Sequence, residues 1–209
     1  MRHIVFVGSH LGYPMDRTPL GGGAMVGLQL VRHWSRAASE EGFHLTVVGS
    51  GSHAPCREAD YLQLPAPMGD ASPDLVRLSE LGYARFCREF EAATTAYLLD
   101  RRGALDPSRT VVVVNDISES PDLDRLAEAG FRLLSIWHVD VVEFFNRIYL
   151  HNMVAPDRWT RAFCWMERMG VARAMPDILR LVFQKQRQAV EQSDLLVLPS
   201  RQMADTILR

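Results

Sequence analysis

Apolar and polar positions alternate between two periods along this chain. Short continuous apolar runs occur at His3–Gly8, Phe43–Val48, Tyr61–Leu64, Thr110–Val114, Phe131–Trp137 and Leu195–Leu198. Runs of that length, bounded by Gly, Pro or polar clusters, predict strands buried on both faces. Val111 to Val114 is the firmest, since four β-branched residues are too few for a buried helix. Between the runs, apolar residues recur three and four apart. Met25, Leu28, Val31, Trp34 and Ala38 predict a helix that opens on Gly21-Gly22-Gly23 and stops at Gly42. Polar and Pro-containing loops are expected over 9–20 and after Pro65. A long helix is expected from about Leu75 to Arg102 with a break near Gly82, and a short one from Pro121 and Asp122 to Gly130. Residues 141–192 read as mostly helical, with Pro156 and Pro176 placed as helix starts. Met203, Ile207 and Leu208 share a face after Ser200, and no Gly, Asn or Pro follows to stop that helix. This alternation predicts an α/β domain over 1–209, a doubly wound parallel sheet in three layers. It also reads as truncated before a second domain.

Composition narrows the classes. The 209 residues are 47% apolar with a formal net charge of -2, enough for one substantial core and giving no whole-chain signal for nucleic acid. Lys185 is the sole lysine. Cys56, Cys87 and Cys164 are odd in number and lack ligand spacing, so they read as reduced thiols, with no metal site expected. The opening apolar run is too short for a signal peptide and no run reaches membrane-spanning length, which predicts a cytoplasmic protein.

Ligands of a doubly wound sheet bind at the carboxyl ends of the strands. Four such ends carry polar residues. Gly21, Gly22 and Gly23 leave backbone N–H groups uncovered at the positive end of a helix, suited to a phosphate or developing anion, or they merely turn the chain. The spacing is not a dinucleotide fingerprint, and no Walker Lys-Ser/Thr pair follows. Asn115 and Asp116 either deliver polar groups into the crevice or form an Asx turn. His138 can hydrogen-bond a substrate hydroxyl or shuttle a proton, or be satisfied by backbone groups. Asp140 suits a helix cap, and Ser200 is first of all an N-cap. The stretch from Phe144 to Met175 interleaves aromatics with Arg147, Arg158, Arg161, Arg168 and Arg173. It serves as core or domain-docking surface, or as an interfacial helix in peripheral contact with a membrane.

Taken in order, these elements resemble the Rossmann-like N-terminal half of GT-B-fold glycosyltransferases of the retaining family-4 type. The opening strand and delayed Gly21-Gly22-Gly23 loop match. Val111–Asp116 matches with Asn115 where the family usually has His. Ile136-Trp137-His138 matches the strand ending beside the donor sugar, and Ser193–Ser200 matches an A-D-x-hydrophobic-S segment with Ser193 for Ala. The resemblance implies metal-free sugar transfer from a nucleotide-diphosphate donor to an acceptor, with retention. It assigns His138 to catalysis and Gly21, Gly22, Gly23, Asn115, Asp116, Asp140 and Ser200 to substrate binding. No cofactor beyond the nucleotide sugar is implied, and the partners would be that donor, a small-molecule, glycan or lipid acceptor, and a C-terminal donor-binding domain. A cytoplasmic site at the inner face of the membrane fits that reading. A stand-alone GT-B-like binding or regulatory module is the alternative. A Rossmann oxidoreductase is weaker, because Gly49-Ser50-Gly51 stands where a ribose-binding acid belongs.

Overall fold

The apolar runs become the strands of one sheet. The computed structural model describes residues 2–14, 21–65, 78–140, 142 and 156–207. Its strands are β1 (Arg2–Val7), β2 (Phe43–Gly49), β3 (Asp60–Gln63), β4 (Thr110–Val114), β5 (Arg132–Ile136) and β6 (Leu195–Val197). They lie in the order β3-β2-β1-β4-β5-β6, and every neighbouring pair is parallel. The helices are α1 (Gly21–Glu41), α2 (Glu80–Asp100), α3 (Leu123–Glu128), α4 (Pro156–Arg168), α5 (Asp177–Gln192) and α6 (Arg201–Ile207). The α/β doubly wound architecture is therefore as expected from the alternation.

The period of two along each strand divides the core between the two faces. Val5, Val7, Val48, Val112, Val114 and Leu133 pack with Phe86, Phe90 and Leu98 of α2, Leu126 of α3 and Leu181 and Phe183 of α5. Phe6, Leu45, Val47, Val113 and Ile136 pack with Leu28 and Val31 of α1 on the opposite face. Full burial of each such side chain contributes about 1.5–3 kcal/mol, so the central strands β1 and β4, covered on both faces, anchor the fold.

Several boundaries differ from the sequence reading. β3 and β5 each begin or end a residue away from the expected limits. The long helix starts later than expected: Leu78 and Ser79 are not helical, Ser79 caps α2 by accepting the Gly82 amide at 3.2 Å, and Gly82 sits in the first turn of a helix that continues unbroken to Asp100. The expected helical residues 75–77 lie outside the described residues. So do residues 143–155, with Phe144, Phe145, Arg147, Ile148 and Tyr149, and the terminal Leu208. The helical stretch to 192 is interrupted: α4 ends at Arg168, Gly170 follows with a φ of +73°, and a 3-10 turn over Ala172–Ala174 leads to α5.

The sole lysine is structural. Lys185 on α5 is buried, and its Nζ donates to the carbonyls of Ser120 at 2.7 Å and Pro121 at 3.2 Å, with Glu91 of α2 at 3.2 Å. The neighbouring Gln188 donates to Asp122 and Asp124. Together they staple α2, α5 and the approach to α3.

Candidate functional site

The strand order reverses between β1 and β4. The chain leaves β1 through α1 toward β2, and leaves β4 through α3 toward β5, so a crevice opens between the two diverging connections. Four segments meet there: Gly8-Ser9-His10 after β1, the first turns of α1, Asn115-Asp116 after β4, and His138 after β5.

Asn115 ties them together. It is 3% exposed, and its Nδ2 donates to the Gly23 carbonyl at 3.1 Å while its Oδ1 lies 3.3 Å from His138 Nε2. With the amide oriented that way, Oδ1 must accept, so Nε2 carries the imidazole proton. Nδ1 has no hydrogen-bond partner among the described residues. Glycine permits this convergence. A Cβ on Gly23 would sit 2.8 Å from the His138 ring, and one on Gly27 would sit 2.6 Å from the Asn115 amide. These two glycines, one helical turn apart, let α1 lie directly against the ends of β4 and β5.

Gly21 and Gly22 differ. Both are exposed, Gly21 has a φ of +84°, and a Cβ on either would meet nothing within 4 Å. The start of α1 thus faces open space with no acidic residue in its first turn. Asp116 accepts the Ser118 amide at 3.0 Å, the Asx turn foreseen for it. Asp140 is buried two residues past His138; the helix it was expected to cap falls mostly outside the described residues. Ser200 accepts the Met203 amide at 3.2 Å and caps α6 beside the edge strand.

Two residues that the sequence reading did not single out belong to this cluster. His10 follows β1, with Nδ1 at 3.0 Å from Ser9 Oγ. Burial lowers its pKa, the Asp116 carboxylate opposes that shift, and His138 adds to it. Glu119 is 2% exposed behind Asp116; its Oε1 accepts from the Tyr83 hydroxyl and its Oε2 has no hydrogen-bond partner. Burial first, then the Asp116 charge, holds its carboxyl well above the ordinary value. An imidazole three residues past a buried strand was a signal available for His10. Glu119 had none, since its interest depends on Tyr83, which lies on another element.

The loop after β1 closes over the end of β2. Ser50 N and Oγ both donate to the Ser9 carbonyl, at 3.0 and 2.7 Å, and Gly51 N donates to the Leu11 carbonyl at 2.9 Å. The Tyr61 hydroxyl, near the carbonyls of Gly51 and Leu11, pins it further. A Cβ on Gly49 would meet the Leu11 carbonyl oxygen at 2.5 Å. The position where a dinucleotide fold presents its ribose-binding acid is therefore filled by backbone. No group of three His, Cys, Asp or Glu among the described residues is placed to ligate a metal.

No protein-family model and no curated protein matches this sequence. Among solved structures, a UDP-glucosyltransferase from Polygonum tinctorium capable of glucosylating indoxyl, in complex with 3,4-dichloroaniline, is similar over 74% of this chain. The identity is 16% and the TM-score 0.38, and the match spans 34% of that enzyme's length. A likeness that loose assigns neither family nor activity; the architecture of the present chain rests on its own strand order.

Proposed function

We propose that this domain is the acceptor-side half of a glycosyltransferase that moves a sugar from a nucleoside-diphosphate donor to an acceptor hydroxyl with retention. The observation that carries the reading is the junction of Gly23, Asn115 and His138 at the switch-point crevice. A histidine with a fixed Nε2–H and an unpartnered Nδ1 is suited to accept a hydrogen bond from a sugar hydroxyl, orienting the ring without acting as nucleophile. The start of α1, open at Gly21 and Gly22, would set the positive end of a long helix toward the departing diphosphate. A partner domain would hold the nucleotide, and closure of the two would exclude water.

The test is nucleoside-diphosphate release by the intact protein over a panel of nucleotide sugars and hydroxyl acceptors. His138→Ala should lower kcat by roughly 100-fold, the scale of a lost transition-state hydrogen bond, with an unchanged unfolding midpoint. Near-normal turnover would remove His138 from the reaction, and turnover by residues 1–209 alone would overturn the half-site reading. Tight NAD(H) binding would favour an oxidoreductase instead, which the Leu11 backbone over the end of β2 disfavours.

One observation favours a second stereochemical course. His10 is a half-buried imidazole with a lowered pKa that the Asp116 charge opposes, an environment suited to a general base. Were it to take the acceptor proton, attack would be direct and the anomeric configuration would invert. Proton NMR of the product anomer separates the two: the donor's configuration means retention, and the opposite one hands the base role to His10.

A further inference from the structure

Away from the crevice, the outer side of α4 and the turn after it combine two features that are seldom found together on a surface bathed only in water. Trp165 is 61% exposed, Met169 61% and Val171 47%. Trp165 and Met169 lie four residues apart on one helical face, and Arg161 and Arg168 share it. The opposite face of α4 is tied to the fold through Phe163, 1% exposed and stacked on Phe183 at 4.9 Å. The exposed aromatic and thioether are therefore not a core face left loose by poor packing.

The charge beside them is one-sided. Residues 156–176 carry four arginines against two acids, in a chain whose net charge is -2, so the rest of the molecule is acidic. Arg168 and Arg173 have no acidic partner among the described residues. They line a groove of about 670 Å³ between α4 and α5 with Arg180, Gln184 and Arg187, and the two carboxylates there, Glu167 and Glu191, are both engaged by Arg187. Arg180 is shared with Asp177 at 2.5 Å, which leaves Arg168 and Arg173 to meet an incoming anion. No described helix is long and apolar enough to cross a bilayer, so a membrane would be met at its surface.

We propose that this face, Trp165, Met169 and Val171 flanked by Arg168 and Arg173, docks on an anionic phospholipid surface. The apolar side chains enter the headgroup boundary, and the two free guanidinium groups, with the groove behind them, take lipid phosphates. A protein partner is the less favoured occupant, because the apolar residues are few and Arg168 and Arg173 beside them have no acidic partner among the described residues. The proposal stands independently of the glycosyl-transfer reading.

The experiment is flotation of the full chain with vesicles of phosphatidylcholine alone and of phosphatidylcholine mixed with phosphatidylglycerol. Binding is expected only to the anionic vesicles, weakening as salt is raised. Arg168→Gln and Arg173→Gln should each lower the partition coefficient roughly fivefold, the size of one basic residue's attraction to such a surface. Trp165→Ser should lower it at least as much, and in the wild type Trp165 emission should shift to the blue on binding. Because these side chains are exposed, the variants should unfold at the wild-type midpoint. Equal binding to neutral vesicles, no flotation at all, or arginine variants that bind like wild type would each overturn the proposal. So would a wild-type dimer, in the absence of lipid, that Trp165→Ser abolishes.

Discussion

Single atoms decide much of the geometry at the crevice, and glycine is where this is most easily tested. In a helix interior, Gly→Ala gains about 1 kcal/mol from propensity alone. At Gly22 nothing opposes that gain, since the new Cβ would stand in open space. At Gly27 the Cβ would press on the Asn115 amide, and forced overpacking costs about 1–3 kcal/mol. Gly22→Ala should therefore be neutral or stabilising in urea denaturation, and Gly27→Ala should destabilise by about 1 kcal/mol net. In an Asn115→Ala background the obstacle is gone, and Gly27→Ala should become stabilising; a loss that persists there would mean the amide is not the obstacle. The titrating residues give opposite pH limbs. Glu119 holds its proton more tightly folded than unfolded, so its contribution is full below its ordinary pKa of 4.5 and is lost as pH rises toward the folded value. His10, lowered from 6.5 by burial, contributes fully above pH 6.5, and that contribution is lost as pH falls through its folded value. Glu119→Gln, which keeps an acceptor for Tyr83, should flatten the alkaline limb of the unfolding midpoint against pH, and His10→Asn the acid limb. Curves superimposable on wild type would show that neither group is linked to folding.

Among the elements, strands were the most legible, because a buried parallel strand needs an unbroken apolar run and Val111–Val114 fits little else. Helix ends were harder to place. Gly82 looked like a break, yet it lies in the first turn of α2, whose start is set by the Ser79 cap three residues earlier. His138 and Asn115 were legible as polar residues ending apolar runs; that they bond to each other across Gly23 was not, since the contact joins three separate elements. Lys185 could be counted but not understood from sequence, because its partners are two carbonyls some 65 residues away and a carboxylate on another helix. Its removal is the element-scale prediction. Lys185→Met leaves both carbonyls without their donor and Glu91 with Arg88 alone, and breaking a buried pair from one side costs about 3–5 kcal/mol. Adding Glu91→Leu should recover part of that loss but not all, since Ser120 and Pro121 still lack their donor. A single substitution costing under about 1 kcal/mol by urea denaturation would show that α2, α5 and the α3 approach do not depend on the staple.

For the whole molecule, the strand order ties stability to the location of the site. β1 and β4 are hydrogen-bonded on both sides and covered on both faces, with Val5, Val7, Val112, Val113 and Val114 all at or below 1% exposed. β6 forms an edge of the sheet, three residues long, with Leu195 and Val197 open to solvent. The crevice residues therefore hang from the most stable strands on one side and approach the least stable on the other. Amides of β1 and β4 should open only with global unfolding, whereas those of β6 and α6 should exchange through smaller openings. The ends of β4 and β5 would then hold His138 and Asn115 rigidly while the far side of the sheet yields. Hydrogen exchange measured residue by residue checks this directly. Protection should fall from β4 through β5 to β6, and an edge strand protected as strongly as the centre would mean that the crevice is braced from both sides.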